Sequence, residues 1–140
     1  MNRSALFVTL APAITIPIVM IVYARGQHPW EWWQFLGLGL AAAGLLLLTI
    51  ARLRLGNSFS LTPQARELVT GGLYRRVRHP VYVFGAVAIA GLFLYLNVLP
   101  ALLVFLVVIP LQIVRARAEE RVLEAHFGQQ YRDYKARTWF

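Results

Sequence analysis

Two stretches of this 140-residue chain concentrate the groups capable of chemistry. The first, Glu67 to Tyr82, holds Tyr74, Arg75, Arg76, Arg78, His79, Pro80 and Tyr82. The second, Arg115 to Trp139, holds Arg115, Glu119, Glu120, His126, Tyr131, Tyr134 and Lys135. Pro80 suits the first turn of a helix, where its missing N–H costs nothing, so His79 falls at or beside the N-cap. Free N–H groups and the positive dipole end of that helix suit an anionic ligand group. Arg115 and Glu119 stand four apart and share a helix face with Leu123. Each stretch also has a plainer use. Arg75 and Arg76 suit an interfacial anchor for anionic lipids. The second stretch alone reads as a solvated helix with salt bridges worth about 0.2–0.5 kcal/mol each.

The elements that position these groups read as membrane spans. Hydrophobic residues make up 59% of the chain and charged residues 14%, yet the net charge is +8. Apolar bulk with a small basic remainder places the charges at one water interface, and no nucleic-acid partner is expected. Ser4 to Ala24 carries no charge over 21 residues, which at about 1.5 Å per residue spans a bilayer. Pro12 and Pro17 lie inside it, as membrane helices allow. A signal peptide is the rival reading, but the run exceeds the usual apolar region of about 7–15 residues. Trp30, Trp32 and Trp33 form an aromatic belt before a second uncharged run that Arg52 and Arg54 close. Val81 to Val114 is uncharged over 34 residues, too long for one span. Asn97 and Pro100 mark its bend, so it reads as a helical hairpin. The expectation is an all-α integral membrane protein of one domain, residues 1–140. It has four transmembrane helices (4–24, 32–51, 81–96 and 98–114), a cytoplasmic loop 52–80 and a cytoplasmic tail 115–140. Thirteen of fourteen cations fall on one side and only Arg25 on the other, which puts both termini in the cytoplasm.

Several functions are excluded. The chain has no Cys, hence no disulfide, zinc ribbon, iron–sulfur cluster or thiol nucleophile, and no metal site is expected. Gly37-Leu38-Gly39-Leu40-Ala41-Ala42 matches a dinucleotide pattern but lies inside an apolar span, with no acidic residue about 20 positions on. Gly37, Ala41 and Gly44 read instead as a small-residue face for close helix approach, open to pairing of two copies in a homodimer. None of the six acidic residues lies deep in a span, which counts against a proton-coupled transporter.

Together the two stretches resemble the isoprenylcysteine carboxyl methyltransferase family and the related membrane phospholipid methyltransferases. The matching residues are Leu68-Val69-Thr70-x-Gly72-x-Tyr74, then Arg78-His79-Pro80-x-Tyr82. After a hairpin of suitable length come Glu119-Glu120 and Phe127-Gly128-x-x-Tyr131-x-x-Tyr134. The match covers about residues 67–137, and the order and spacing of the motifs are more specific than any one of them. The first two helices match in character only, and the stretch with Gln64 and Arg66 departs from the family pattern. Family members often have more spans.

The resemblance implies an enzyme using S-adenosyl-L-methionine without a Rossmann sheet, in a pocket formed by the loop, helix ends and helical tail. It sets the cofactor against Leu68, Val69, Tyr74, His79, Pro80, Tyr82 and Glu119, and Arg115 near the acceptor. The acceptor is implied to be a lipophilic molecule, lipid or prenylated group entering from the bilayer. The implied setting is a multi-pass protein among membrane lipids, in a bacterial cytoplasmic membrane. A carboxylate or thiolate acceptor needs no general base; an amine needs one, such as His79, Glu119 or Glu120. The leaning is towards an anionic acceptor. Three other readings stay open: a phospholipid N-methyltransferase, an NADPH-dependent sterol or enone reductase with a similar Arg-His-Pro-x-Tyr segment, and a non-catalytic membrane scaffold.

Overall fold

A computed structural model describes residues 3–26, 29–55 and 68–139. Gln64, Arg66 and Glu67 lie outside the described residues. The described chain is all helical: α1 Arg3–Ala24, α2 Trp32–Leu55, α3 Pro80–Tyr95, α4 Phe105–Phe127 and α5 Gln129–Ala136. Short 3₁₀ segments, Gly72–Arg75 and Leu99–Val104, precede α3 and α4. Among the described residues, Trp32–Leu55 and the segment Leu99–Phe127 are long and apolar enough to cross a membrane.

Sequence and structure differ in instructive places. The second helix continues past Ala51 to Leu55, so Arg52 and Arg54 form its last turn. Cations there complement the negative end of the helix dipole. The second arm of the hairpin begins as the 3₁₀ segment and turns α-helical only at Phe105. Asn97 makes the bend with φ 56°, a conformation that Asn tolerates better than most residues. The tail is two helices, because Gly128 takes φ 52° and breaks the chain between α4 and α5.

α2 and α3 pack along their lengths, backbone to backbone. A Cβ on Gly44 would stand 2.6 Å from the Ala88 nitrogen, and one on Gly37 would stand 2.7 Å from the Gly91 carbonyl. Only glycine permits such approach, and dispersion between close backbones holds the pair. The Gly37, Ala41 and Gly44 face is therefore filled by α3 of the same chain. That is the close helix approach the small residues predict, and α3 of the same chain, not a second copy, occupies this face.

The end of the bundle near Tyr95 is fastened by neutral hydrogen bonds. Tyr95 donates to the Met20 carbonyl at 2.6 Å, and Tyr23 donates to the Leu96 carbonyl at 2.7 Å. Gln34, 2% exposed, uses both ends of its amide. Its Nε2 donates to the Tyr95 carbonyl at 3.1 Å, and its Oε1 accepts from the Glu31 N–H, capping the start of α2. Trp33 Nε1 donates to Asn97 Oδ1 at 3.1 Å. Met20, Ala41 and Tyr95 form the apolar core beside these bonds.

α4 behaves differently. Its close backbone approaches are to the 3₁₀ segment before it and to α5 after it, whereas α2 and α3 pack on each other. Leu106, Val107, Leu111 and Val114 are exposed along it. It meets α3 through side chains at two places. Near the bend, Phe105 lies edge-on to Phe93 with centroids 6.4 Å apart. At the other end, the carboxylates of α4 meet the start of α3.

Candidate functional site

The start of α3 has the expected form. His79 is the N-cap and Pro80 the first helical residue. The backbone there offers a ligand less than expected, however. Pro80 has no N–H, and the N–H groups of Tyr82 and Val83 both donate to the His79 carbonyl. The negative charge at this positive helix end comes from the chain itself, through Glu119 and Glu120.

Glu119 and Glu120 are adjacent on α4, so their side chains leave the helix about 100° apart. Glu119 accepts a hydrogen bond from the Tyr82 hydroxyl. It also lies 3.5 Å from Arg115 Nε, one helical turn away. Glu120 turns towards the loop and tail: its Oε2 lies 2.8 Å from Lys135 Nζ, and its Oε1 lies 3.0 Å from Arg78 Nε. The Arg78 approach is an ion pair whose N–H is not aligned as a hydrogen bond. His79, 7% exposed, sits between the two acids. Its Nδ1 is 3.7 Å from Glu119 Oε2 and its Nε2 is 3.4 Å from Glu120 Oε1. Its ring stacks on Tyr82, with centroids 5.7 Å apart. Burial drives the His79 imidazole below its ordinary value and outweighs the upward pull of the two carboxylates.

The tail is held over this cluster by buried tyrosines. Tyr131 and Tyr134, three apart on α5, are both buried, and Tyr134 donates to the Tyr74 carbonyl at 2.7 Å. Burial pushes the Tyr134 hydroxyl up to about 12. Tyr74 is itself buried and reaches the Ala51 carbonyl of α2 at 3.4 Å. Gly72, at φ 63°, turns the chain under the Arg54 side chain so that Tyr74 can enter the packing. Arg78 reaches the carbonyls of Lys135 and Thr138 at 3.3 and 3.4 Å. Trp139 pairs its N–H with the Arg76 carbonyl at 3.0 Å.

The structure thus gathers His79, Pro80, Tyr82, Arg115 and Glu119 at one end of α3 and α4. Leu68 and Val69 are half-buried in non-helical chain before Gly72 and make no described polar contact with that cluster. Tyr74 is interior packing, not an open aromatic face. Sequence reasoning missed Arg78 and Lys135 as partners of Glu120. It also missed Arg52 on α2, which acts electrostatically on Tyr74 and Tyr82. The doubled acid Glu119-Glu120 was the available signal, since two adjacent carboxylates on one helix need two sets of partners.

Comparison with known proteins identifies the family. The phospholipid methyltransferase family profile matches residues 32–130, which include α2, α3, α4 and the start of α5. The chain is also similar to the protein-S-isoprenylcysteine O-methyltransferase of Schizosaccharomyces pombe. The two are 33% identical over 112 residues, covering 76% of this chain and 48% of that protein. The chain therefore spans about half the length of this curated relative. With most of its helical core inside the matched region, the chain belongs to the phospholipid methyltransferase family.

Proposed function

We propose that this protein is an S-adenosyl-L-methionine-dependent membrane methyltransferase that moves a methyl group to a lipophilic acceptor. The observation that carries the reading is the meeting of Tyr82 and His79 from α3 with Glu119 and Glu120 from α4. It is supported by the family profile and by the similarity to an isoprenylcysteine methyltransferase. In this reading the chain is one domain with four spans, and both termini and the 52–80 loop face the cytoplasm.

The donor set fits the cofactor. Glu119 accepts from an ammonium or a ribose diol, once the Tyr82 hydroxyl yields its place. With the helix start already neutralised by the two acids, a cofactor carboxylate falls to cations such as Arg52 or Arg115. Tyr82, stacked on His79, presents a ring to an adenine or a sulfonium. Leu68, Val69 and Pro80 supply apolar lining, and Tyr74 holds the loop in place. The cofactor supplies an electrophilic methyl on its sulfonium. What the protein must add is alignment and exclusion of water, because in-line displacement needs little else. Arg115 holds an anionic acceptor without neutralising its attacking lone pair. The acceptor arrives from lipid, between α3 and α4.

A second reading, N-methylation of a phospholipid amine, is favoured by one observation. His79 lies between two carboxylates, and burial pushes its imidazole below its ordinary value, as suits a base for an ammonium acceptor. Lipid extract incubated with methyl-labelled cofactor separates the two. Base-labile methyl ester supports the anionic acceptor, and label in methylated ethanolamine lipids supports the amine. Calorimetry tests the cofactor: S-adenosylhomocysteine should bind and NADPH should not. NADPH binding without any response to S-adenosylhomocysteine overturns the methyltransferase and revives the reductase. Binding of neither leaves a scaffold.

A further inference from the structure

Gln112 is the polar side chain of the second hairpin arm, within an otherwise apolar stretch of α4. It belongs to the stripe Phe105, Val108, Gln112, Ala116 and Glu119, whose spacing of three and four places them on one helix face. Both ends of that stripe face α3: Phe105 meets Phe93, and Glu119 meets Tyr82. Gln112 lies between and is half-buried, while its neighbours Leu111 and Val114 on other faces are exposed. Among the described residues, no hydrogen bond or ion pair involves the Gln112 side chain. Gln112 lies just inside the end of the 98–114 span, and a half-buried amide there is costly without a polar partner. α4 is not packed closely along α3 here, and the stripe places Gln112 on the side of α4 that faces α3.

We propose that Gln112 is a specificity-determining residue that hydrogen-bonds a polar group of the acceptor, deeper in the membrane than the methylated atom. This rests on the methyltransferase reading above. Gln112 lies seven residues from Glu119, about 10 Å along the helix, and three from Arg115, about 4.5 Å. If Arg115 attends the atom that accepts the methyl, Gln112 meets a group roughly one helical turn further in. The ligand class is an amphiphile with a carbonyl or amide further into the membrane than its acceptor atom. Prenylated cysteine derivatives and glycerophospholipids share that chemistry. A glutamine can donate to a carbonyl or accept from an amide N–H, and leucine can do neither.

The test uses the full chain in phosphatidylglycerol vesicles, wild type against Gln112→Leu and Gln112→Asn. The probes are N-acetyl-S-farnesylcysteine and dioleoyl phosphatidylethanolamine, each with methyl-labelled cofactor. S-adenosylhomocysteine affinity is measured in parallel. The expected result is a KM for the methylated probe raised about tenfold in Gln112→Leu, partly restored in Gln112→Asn, with S-adenosylhomocysteine affinity unchanged. An unchanged KM overturns the proposal and makes Gln112 a bystander. Equal loss of cofactor affinity and turnover also overturns it, since the residue would then be structural. S-adenosylhomocysteine binding with neither probe methylated overturns the acceptor class, and the proposal with it, while leaving the cofactor reading intact. Absence of S-adenosylhomocysteine binding in wild type brings down both.

Discussion

The Tyr82 hydroxyl donates to the Glu119 carboxylate, joining residues 37 apart in sequence across the start of α3 and the emerging half of α4. Both groups belong to the proposed binding set, and in that reading a bound cofactor replaces this contact. Glu119→Gln removes the charge that accepts from an ammonium or diol. A hydrogen bond to a charged group is worth about 1.5–3 kcal/mol, or about tenfold to a hundredfold in affinity. Calorimetry with S-adenosylhomocysteine should show that loss, and unchanged affinity would remove Glu119 from the site. Tyr82→Phe should cost less, because Glu119 keeps its charge.

The α2–α3 interface should be intolerant of volume. Gly44→Leu and Gly91→Leu force side chains against opposing backbone, and overpacking of this kind costs about 1–3 kcal/mol or more. Gly39→Ala, which meets no atom within 4 Å, should be neutral. Thermal unfolding in detergent reads the contrast. Equal midpoints for Gly44→Leu and Gly39→Ala would contradict the close approach described.

Acid should destabilise the protein through His79. Its imidazole is held below its ordinary value of 6.5 by burial, so the unfolded chain binds the proton more readily. Stability is present above pH 6.5 and falls as the pH drops towards the lowered folded value. His79→Gln should flatten that part of the stability profile. A profile that is unchanged by the substitution would assign the acid sensitivity to other groups.

The tail should come loose when Arg78 is removed. Arg78→Ala deletes the ion pair to Glu120 and the bonds to the Lys135 and Thr138 carbonyls. Trypsin should then cut at Arg132 and Arg137 several-fold faster than in wild type. Equal cleavage rates would show that the buried Tyr131 and Tyr134 hold α5 by themselves.

The proposed orientation has a clean test, because the chain has no cysteine of its own. Val98→Cys, at the bend, and Arg137→Cys, on the tail, should react from opposite sides of the membrane with an impermeant maleimide. Labelling from the same side would break the four-span arrangement.

Much of the helical plan was legible because hydropathy and proline carry local signals. The uncharged runs marked the helices, and Pro80 put the N-cap at or beside His79, since a missing N–H suits a first turn. The Gly37, Ala41 and Gly44 face was visible, but not its occupant. Packing partners are a tertiary matter, and a stripe of small residues looks alike whether it meets its own chain or another. The 3₁₀ start of the second arm went unseen because Leu99–Val104 differs from an α-helix in hydrogen-bond register, not in composition. Resemblance, and not spacing, brought Tyr82 and Glu119 together. The ties of Glu120 to Arg78 and Lys135 depend on the fold of the loop and tail, which no periodicity encodes.

The two ends of the bundle are fastened by different chemistry. Near Tyr95 the bonds come from phenols, an amide and an indole, none of which changes charge at ordinary pH. At His79 they come from acids, guanidinium groups, an imidazole and an ammonium. Ionic strength therefore weakens the exposed ion pairs of Arg115 and Lys135 at one end and leaves the other end alone. The protein is built like a clothes peg, with a permanent spring at the far end and jaws whose grip is set by the solution around them.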